Sequence, residues 1–169
     1  FDIKEPFKSL FTQGMVCHET YKDENNNWLS PNEVEKINNK TIQKDSGGKK
    51  VIVGPSESMS KSKKNVIDPE NIIEIYGADA VRLFILSDSP PEKDVQWSDQ
   101  GMVSSYKFIQ KLWILHNEVK NSMFDDKKDK ENDELNKFTN KLVAKFTNNL
   151  EKFNYNVIIA NMYETYNYL

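Results

Sequence analysis

Residues 58–65 read "SMSKSKKN" and set Lys61, Lys63 and Lys64 beside the hydroxyls of Ser60 and Ser62. Ammonium groups, hydroxyl donors and local backbone N–H groups together can surround phosphate oxygens, and a triphosphate would be a suitable guest. The same composition also describes an ordinary solvated loop ending on a polar turn residue, Asn65. The two commonest nucleotide-loop signatures, G-x-x-x-x-G-K-[ST] and G-x-G-x-x-G, are missing, so context has to decide between grip and loop.

Other reactive side chains offer less. His18 and His116 lie far apart, one in an extended segment and one on a helix. Both are expected to pack rather than catalyse, His116 as a partly buried residue. Cys17 is the only cysteine, which excludes an internal disulfide and a multi-cysteine zinc site and leaves a buried structural thiol. No metal ligands are assigned. Arg82 is the only arginine among many lysines, a hint that its position needs a planar, multi-donor fork. Asp79 precedes it by three positions, so the two can pair on a helix surface for only tenths of a kcal/mol if exposed. Trp28, Trp97 and Trp113 invite base stacking, but packing in a core or between domains is the stronger expectation and no ligand is assigned to them.

The elements that position the lysine cluster follow from the punctuation around it. Upstream, "SLFTQGMVCHETY" alternates loosely and predicts a strand with a bend near Gly14. From 22 to 54 the turn clusters "DENNN", "SPNE" and "DSGGKK" separate short strands at 28–29, 40–43 and 51–53, a small β-rich insertion with little apolar residue of its own. Downstream, Asp68 suits an N-cap, Pro69 the first helical position and Gly77 a C-terminal cap, predicting a helix over 69–76. A second helix starts at Ala78, with Val81, Phe84 and Ile85 on its apolar face, and stops by Ser89 before Pro90 and Pro91. Ser98 caps a longer helix to about Ser122 with Val103, Tyr106, Ile109, Leu112, Trp113 and Val119 in its stripe. The charge-dense "DDKKDKENDE" reads as a solvated linker. A further helix begins near Asp133, its stripe of Leu135, Phe138, Leu142, Phe146, Leu150 and Phe153 explained by core packing. "NYN" interrupts it before the pattern resumes over 157–168, where the apolar "MYETYNYL" lacks a cap and implies continuation into a longer protein.

The bulk numbers restrict the function classes. With 169 residues, a net charge of −3 and a pI of about 5.5, the chain is one domain or two small pieces without the basic field of a non-specific nucleic-acid binder. Any polyanion contact must be local. No run of about 18 or more apolar residues occurs and the first residues carry no signal pattern, so no membrane partner is expected and a cytoplasmic location is the default.

Five residues of the cluster, "SMSKS", resemble K-M-S-K-S, the second signature of the class I aminoacyl-tRNA synthetases. The resemblance continues through "YGADAVRLF" and "SPPEKDVQWSDQG", which favour the bacterial leucyl branch over the isoleucyl, valyl and methionyl ones. Upstream, "LFTQGMVCHETY" and "WLSPNEVE" are similar to the same family, as is "YNVIIANMYETYNYL" downstream. It is weakest at 35–50 and around 125–133.

This resemblance implies an α+β fragment: residues 1–20 as the edge of a Rossmann-type catalytic domain, 21–57 as a leucine-specific-type insertion, 58–97 as the signature loop with stem-contact helices, and 98–169 as the start of an anticodon-binding-type helical bundle. It implies ATP with Mg2+, leucine and tRNA(Leu) as the molecules handled. Met59, Ser60, Lys61 and Ser62 match the last four signature positions and are the implied ATP-binding residues, with Lys61 as the catalytic cation. Ser58 stands where the family has its first lysine, so that charge is missing, and Lys63 or Lys64 is the expected compensation. The family's earlier H-I-G-H signature has no counterpart here, so the isolated piece is expected to be inactive and to need the remainder of the polypeptide. The rival reading is a non-catalytic tRNA-binding module, whose exposed lysines would follow the RNA backbone.

Overall fold

The computed structural model describes residues 4–38, 40–44, 46–122 and 133–169. Its strand-rich first part is built on β1 (Val16–Lys22), which is paired on both edges. β5 (Ile52–Ser58) runs antiparallel along its whole length, from Cys17 opposite Ser58 to Lys22 opposite Ile52. The other edge is shared by β2 (Trp28–Leu29), antiparallel at one end, and β6 (Val95–Gln96), parallel at the other. Cys17, His18, Thr20 and Tyr21 are all buried, so side chains on both faces of β1 are covered. The predicted start of β1 near Ser9 is corrected. Gly14 is held in an irregular approach to the 91–94 loop, its N–H donating to Pro91 O at 2.8 Å, and a Cβ there would lie 2.1 Å from Lys93 O.

β5 contains Gly54 and Pro55, residues that normally break a strand. A bulge between Glu19 and Thr20 absorbs them: Ser56 pairs with Glu19 and Gly54 with Thr20, leaving Pro55 unpaired, and Thr20 Oγ1 donates to Pro55 O at 3.1 Å. A Cβ on Gly54 would meet that hydroxyl at 2.4 Å. Beyond β2, a 3-10 turn (Pro31–Glu33) leads into a separate hairpin of β3 (Val34–Ile37) and β4 (Lys40–Gln43). Tyr21, Leu29, Val34 and Val51 form the small core beneath it.

The helical part begins as its capping residues predict. Asp68 accepts from the Glu70 N–H at 3.0 Å to start α1 (Pro69–Tyr76), and Gly77 at φ 80° ends it and admits α2 (Ala78–Ser87). Ser98 Oγ accepts from the Gly101 N–H at 3.1 Å at the start of α3 (Asp99–Ser122). α4 (Asp133–Glu151) and α5 (Tyr155–Tyr168) form an antiparallel pair, with Phe138 and Tyr168 stacked at 3.9 Å. α2 lies against both α3 and α5, so its buried surface is wider than one stripe. Ala80 and Phe84 join Val95 and Met102, while Leu83 joins Phe108 and Ile159. The predicted Val81 and Ile85 are only half-buried at its margin.

Two packing expectations are corrected. Of the stripe predicted for α4, Phe138, Leu142 and Phe146 are half-buried, whereas Leu135, Leu150 and Phe153, the last just beyond the helix, are exposed, because α5 is the sole helix that covers α4 extensively among the described residues. On α3 the second half runs past its partners, so His116, expected to be partly buried, is exposed, as is Trp113 at 67 %. The predicted linker lies outside the described residues over 125–132.

Candidate functional site

The lysine cluster forms a short excursion between β5 and α1. Its first half continues the strand, with the Met59 N–H donating to Val16 O at 3.1 Å. The chain then turns tightly: Ser60 Oγ lies 2.9 Å from Ser62 Oγ and accepts from the Lys63 N–H at 3.3 Å, and the Lys64 N–H donates to Lys61 O at 3.3 Å. Lys64 takes a left-handed φ of 55°, which costs a non-glycine residue about 1 kcal/mol. That reversal sends Asn65 inward, where it is wholly buried. Lys61, Ser62 and Lys64 face solvent, and Met59, Ser60 and Lys63 are half-buried.

The three lysines are not equivalent. Lys63 Nζ is paired with Glu57 on β5. Lys64 stands near Glu33, whose carboxyl is held below the usual carboxylate range first by the Ser30 N–H, which donates at 2.8 Å, then by the Ser30 hydroxyl, with a smaller contribution from Lys64. The Lys61 ammonium has no hydrogen-bond or ion-pair partner among the described residues. Both Lys61 and Lys64 are exposed, and among the described residues neither ammonium has to break a hydrogen bond or ion pair to meet a ligand, whereas Lys63 does.

Beside the loop, a cavity of about 840 Å³ lies between the β3–β4 hairpin, the sheet and the first turns of α1 and α3. Glu19 of β1 crosses its wall, accepting from Lys36 Nζ at 2.9 Å and from the Tyr21 hydroxyl at 2.8 Å. The Lys36 hydrogen bond lowers the Glu19 carboxyl below its ordinary range, with Tyr21 adding to the shift and partial burial opposing it. Burial raises the Tyr21 hydroxyl well above its usual value, reinforced by its bond to Glu19. None of residues 59–65 lines this cavity. Among the described residues no three His, Cys, Asp or Glu side chains converge as a metal cage.

The loop is embedded in residues 36–98, the stretch matched by the family model of tRNA synthetases class I (I, L, M and V). Leucine–tRNA ligase of Rickettsia typhi (strain ATCC VR-144 / Wilmington) is 51% identical over 160 residues, 95% of this chain and 19% of that protein. The Orientia tsutsugamushi (strain Boryong) leucine–tRNA ligase is 48% identical over 167 residues, 98% of this chain and 20% of that protein. The chain belongs to the leucine–tRNA ligase family. It spans about one fifth of the length of these leucine–tRNA ligases. A crystal structure of Agrobacterium radiobacter K84 LeuRS, in a ternary complex with tRNA and LeuAMS, shares the fold with a TM-score of 0.64 at 24% identity, covering 98% of this chain and 18% of that one.

Within this leucine–tRNA ligase segment the predicted site residues Met59, Ser60, Lys61 and Ser62 run from the end of β5 into the turn at 61–64, while His18 is buried in β1 with its Nδ1 2.8 Å from Glu19 O. Cys17 is buried in the same strand. Arg82 uses one nitrogen of its fork, donating to Asp79 Oδ1 at 2.9 Å on an exposed surface, and no second contact to that guanidinium is present among the described residues. The sequence did not signal Asn65 and Glu57. Asn65 reads as a turn residue because its partners come from other strands, and Glu57 sits outside the signature.

Proposed function

We propose that this chain supplies the phosphate-gripping loop of a leucine–tRNA ligase, with Lys61 as its catalytic cation. In that reaction the leucine carboxylate attacks the α-phosphorus of ATP, the bond to the β-phosphate oxygen breaks, and pyrophosphate leaves carrying the negative charge. A fixed ammonium at the departing phosphates stabilises that charge as it develops. Leucine then passes from the adenylate to the terminal ribose of tRNA(Leu). Ser60 and Ser62 exchange their mutual hydrogen bond for phosphate oxygens, and Met59 keeps the loop in register with β1 through its N–H. Mg2+ is expected to travel with the nucleotide. The described residues offer it no cage of their own, and no step is assigned to it.

Residues 1–20 are read as the edge of the catalytic domain, 21–57 as the insertion, 58–97 as the loop with stem-contact helices, and 98–169 as the start of the tRNA-contacting bundle. The observation that carries the proposal is the unpaired Lys61 ammonium on a tight turn whose surroundings are about half identical to leucine–tRNA ligases. In the full-length protein, Lys61→Ala removes one charge-assisted contact of about 1.5–3 kcal/mol, a loss of about 10- to 150-fold in leucine-dependent ATP–pyrophosphate exchange. Near-normal exchange in that variant refutes the assignment.

A further inference from the structure

We propose that Asn65 is a positioning residue for Lys61, a role that rests on the reading of Lys61 given above. Asn65 is 0 % exposed, and both ends of its amide are engaged. Its Oδ1 accepts from the Ser60 N–H at 2.8 Å. Its Nδ2 donates to Glu57 O at 3.1 Å and His18 O at 3.3 Å, with Ser58 O at 3.5 Å. One side chain thus ties the loop to the end of β5 and to the middle of β1. The amide orientation follows from the partners, an N–H on one side and three carbonyls on the other.

This arrangement closes residues 60–65 into a ring of chain whose two ends are fixed to the sheet. Lys61 immediately follows the pinned Ser60 amide, so the origin of its side chain is set by the sheet rather than by a mobile loop. The ammonium therefore approaches the nucleotide with the freedom of its own four-carbon stem and little more, and holding a reacting group in place contributes directly to rate. The left-handed Lys64 supports this reading. The chain accepts a disfavoured backbone angle next to Asn65, and the inward amide is what that angle provides. No other residue type reproduces the three-way link. Asp keeps the acceptor but turns a carboxylate toward three carbonyl oxygens, Gln is one methylene too long for a site without free space, and Ala leaves the Ser60 N–H and the carbonyls unmatched.

The test uses the full-length enzyme with Asn65→Ala, Asn65→Asp and Lys61→Ala, singly and with Lys61→Ala in each Asn65 background. Leucine-dependent ATP–pyrophosphate exchange is followed against ATP and leucine concentration. The expected result is a 10- to 100-fold fall in kcat/KM for ATP in the Asn65 variants, with KM for leucine changed less than threefold. Lys61→Ala should then cost less than threefold more in those backgrounds, against its full effect in the native one. A folded Asn65 variant within threefold of native overturns the proposal, and so does a Lys61→Ala loss that is the same in both backgrounds, since Lys61 would then act independently of its support. If Lys61→Ala is itself silent in the native background, the reading of Lys61 fails, an outcome separable from a silent Asn65 variant beside a damaging Lys61→Ala. Where neither Asn65 variant folds, hydrogen exchange in the native enzyme decides. Slowing of the Ser60 amide by a hundredfold or more relative to an unstructured peptide supports the pin, and exchange within tenfold of that peptide overturns it.

Discussion

Replacing Glu57 with Gln tests whether Lys63 stands in for the lysine that Ser58 displaces. In the structure Lys63 is paired with Glu57 and both side chains keep more than a third of their surface in solvent, 40% and 36%. A pair so exposed is worth about 0.2–1 kcal/mol after screening, a factor of about 1.4 to 5 in how often the lysine is available. If Lys63 assists the departing phosphates, Glu57→Gln should raise leucine-dependent ATP–pyrophosphate exchange by up to that factor. The gain should shrink between about 0.1 M and 1 M salt as the screening length falls from about 10 Å to about 3 Å. The neutral amide keeps the shape of the side chain, and the Glu57 carbonyl that binds Asn65 belongs to the backbone and is untouched. The control is Glu57→Gln combined with Lys63→Ala, which should show no gain. A rise that persists in that double variant, or no rise at low salt, refutes the reasoning and leaves the Lys63–Glu57 pair as a structural contact only.

Two further predictions concern the scaffold. Gly101 lies in the first turn of α3, where a Cβ would come within 2.8 Å of Phe84 Cε2 in the core; Gly101→Ala gains about 1 kcal/mol of helix propensity but overpacks a buried ring at about 1–3 kcal/mol, so thermal unfolding should show no stabilisation and a loss of up to about 2 kcal/mol, and a raised melting temperature contradicts it. The Glu19 carboxyl titrates below its ordinary value when folded, so its bond to Lys36 contributes stability that is present above the unfolded carboxylate pKa and is lost as pH falls through the lowered folded value; hydrogen-exchange protection of the β3–β4 amides, corrected for intrinsic rates, should weaken over that acid window in the native protein and stay flat in Glu19→Gln.

Where local chemistry dictates structure, the sequence was a good guide. Asp68, Pro69 and Gly77 delimit α1, Ser98 starts α3, and the strands at 28–29 and 40–43 fall between turn clusters, because caps and turns act within a few residues. Features that depend on distant partners were hidden. β5 extends through Gly54 and Pro55 to Ser58 only because it bulges at Pro55 against β1, and no periodicity in residues 51–58 announces that. The signature singled out Met59, Ser60, Lys61 and Ser62, which run from the end of β5 into the turn at 61–64. It carried no information about which lysine is already paired, since Glu57, the partner of Lys63, belongs to a strand outside it. Asn65 has the same cause: a side chain that follows two lysines looks solvated until His18 and Glu57 are brought beside it. The stripe on α4 shows the converse, where regular helical spacing overstated burial because a single neighbouring helix cannot cover it.

Two consecutive carbonyls of β1 point to opposite edges, as they must in any strand. That of Cys17 receives the Trp97 N–H at 2.8 Å, on the path into α3, and that of His18 receives Asn65 at the base of the lysine turn. The dipeptide is therefore a shared anchor: one short piece of backbone holds the approach to α3 on one side and the base of the cationic turn on the other.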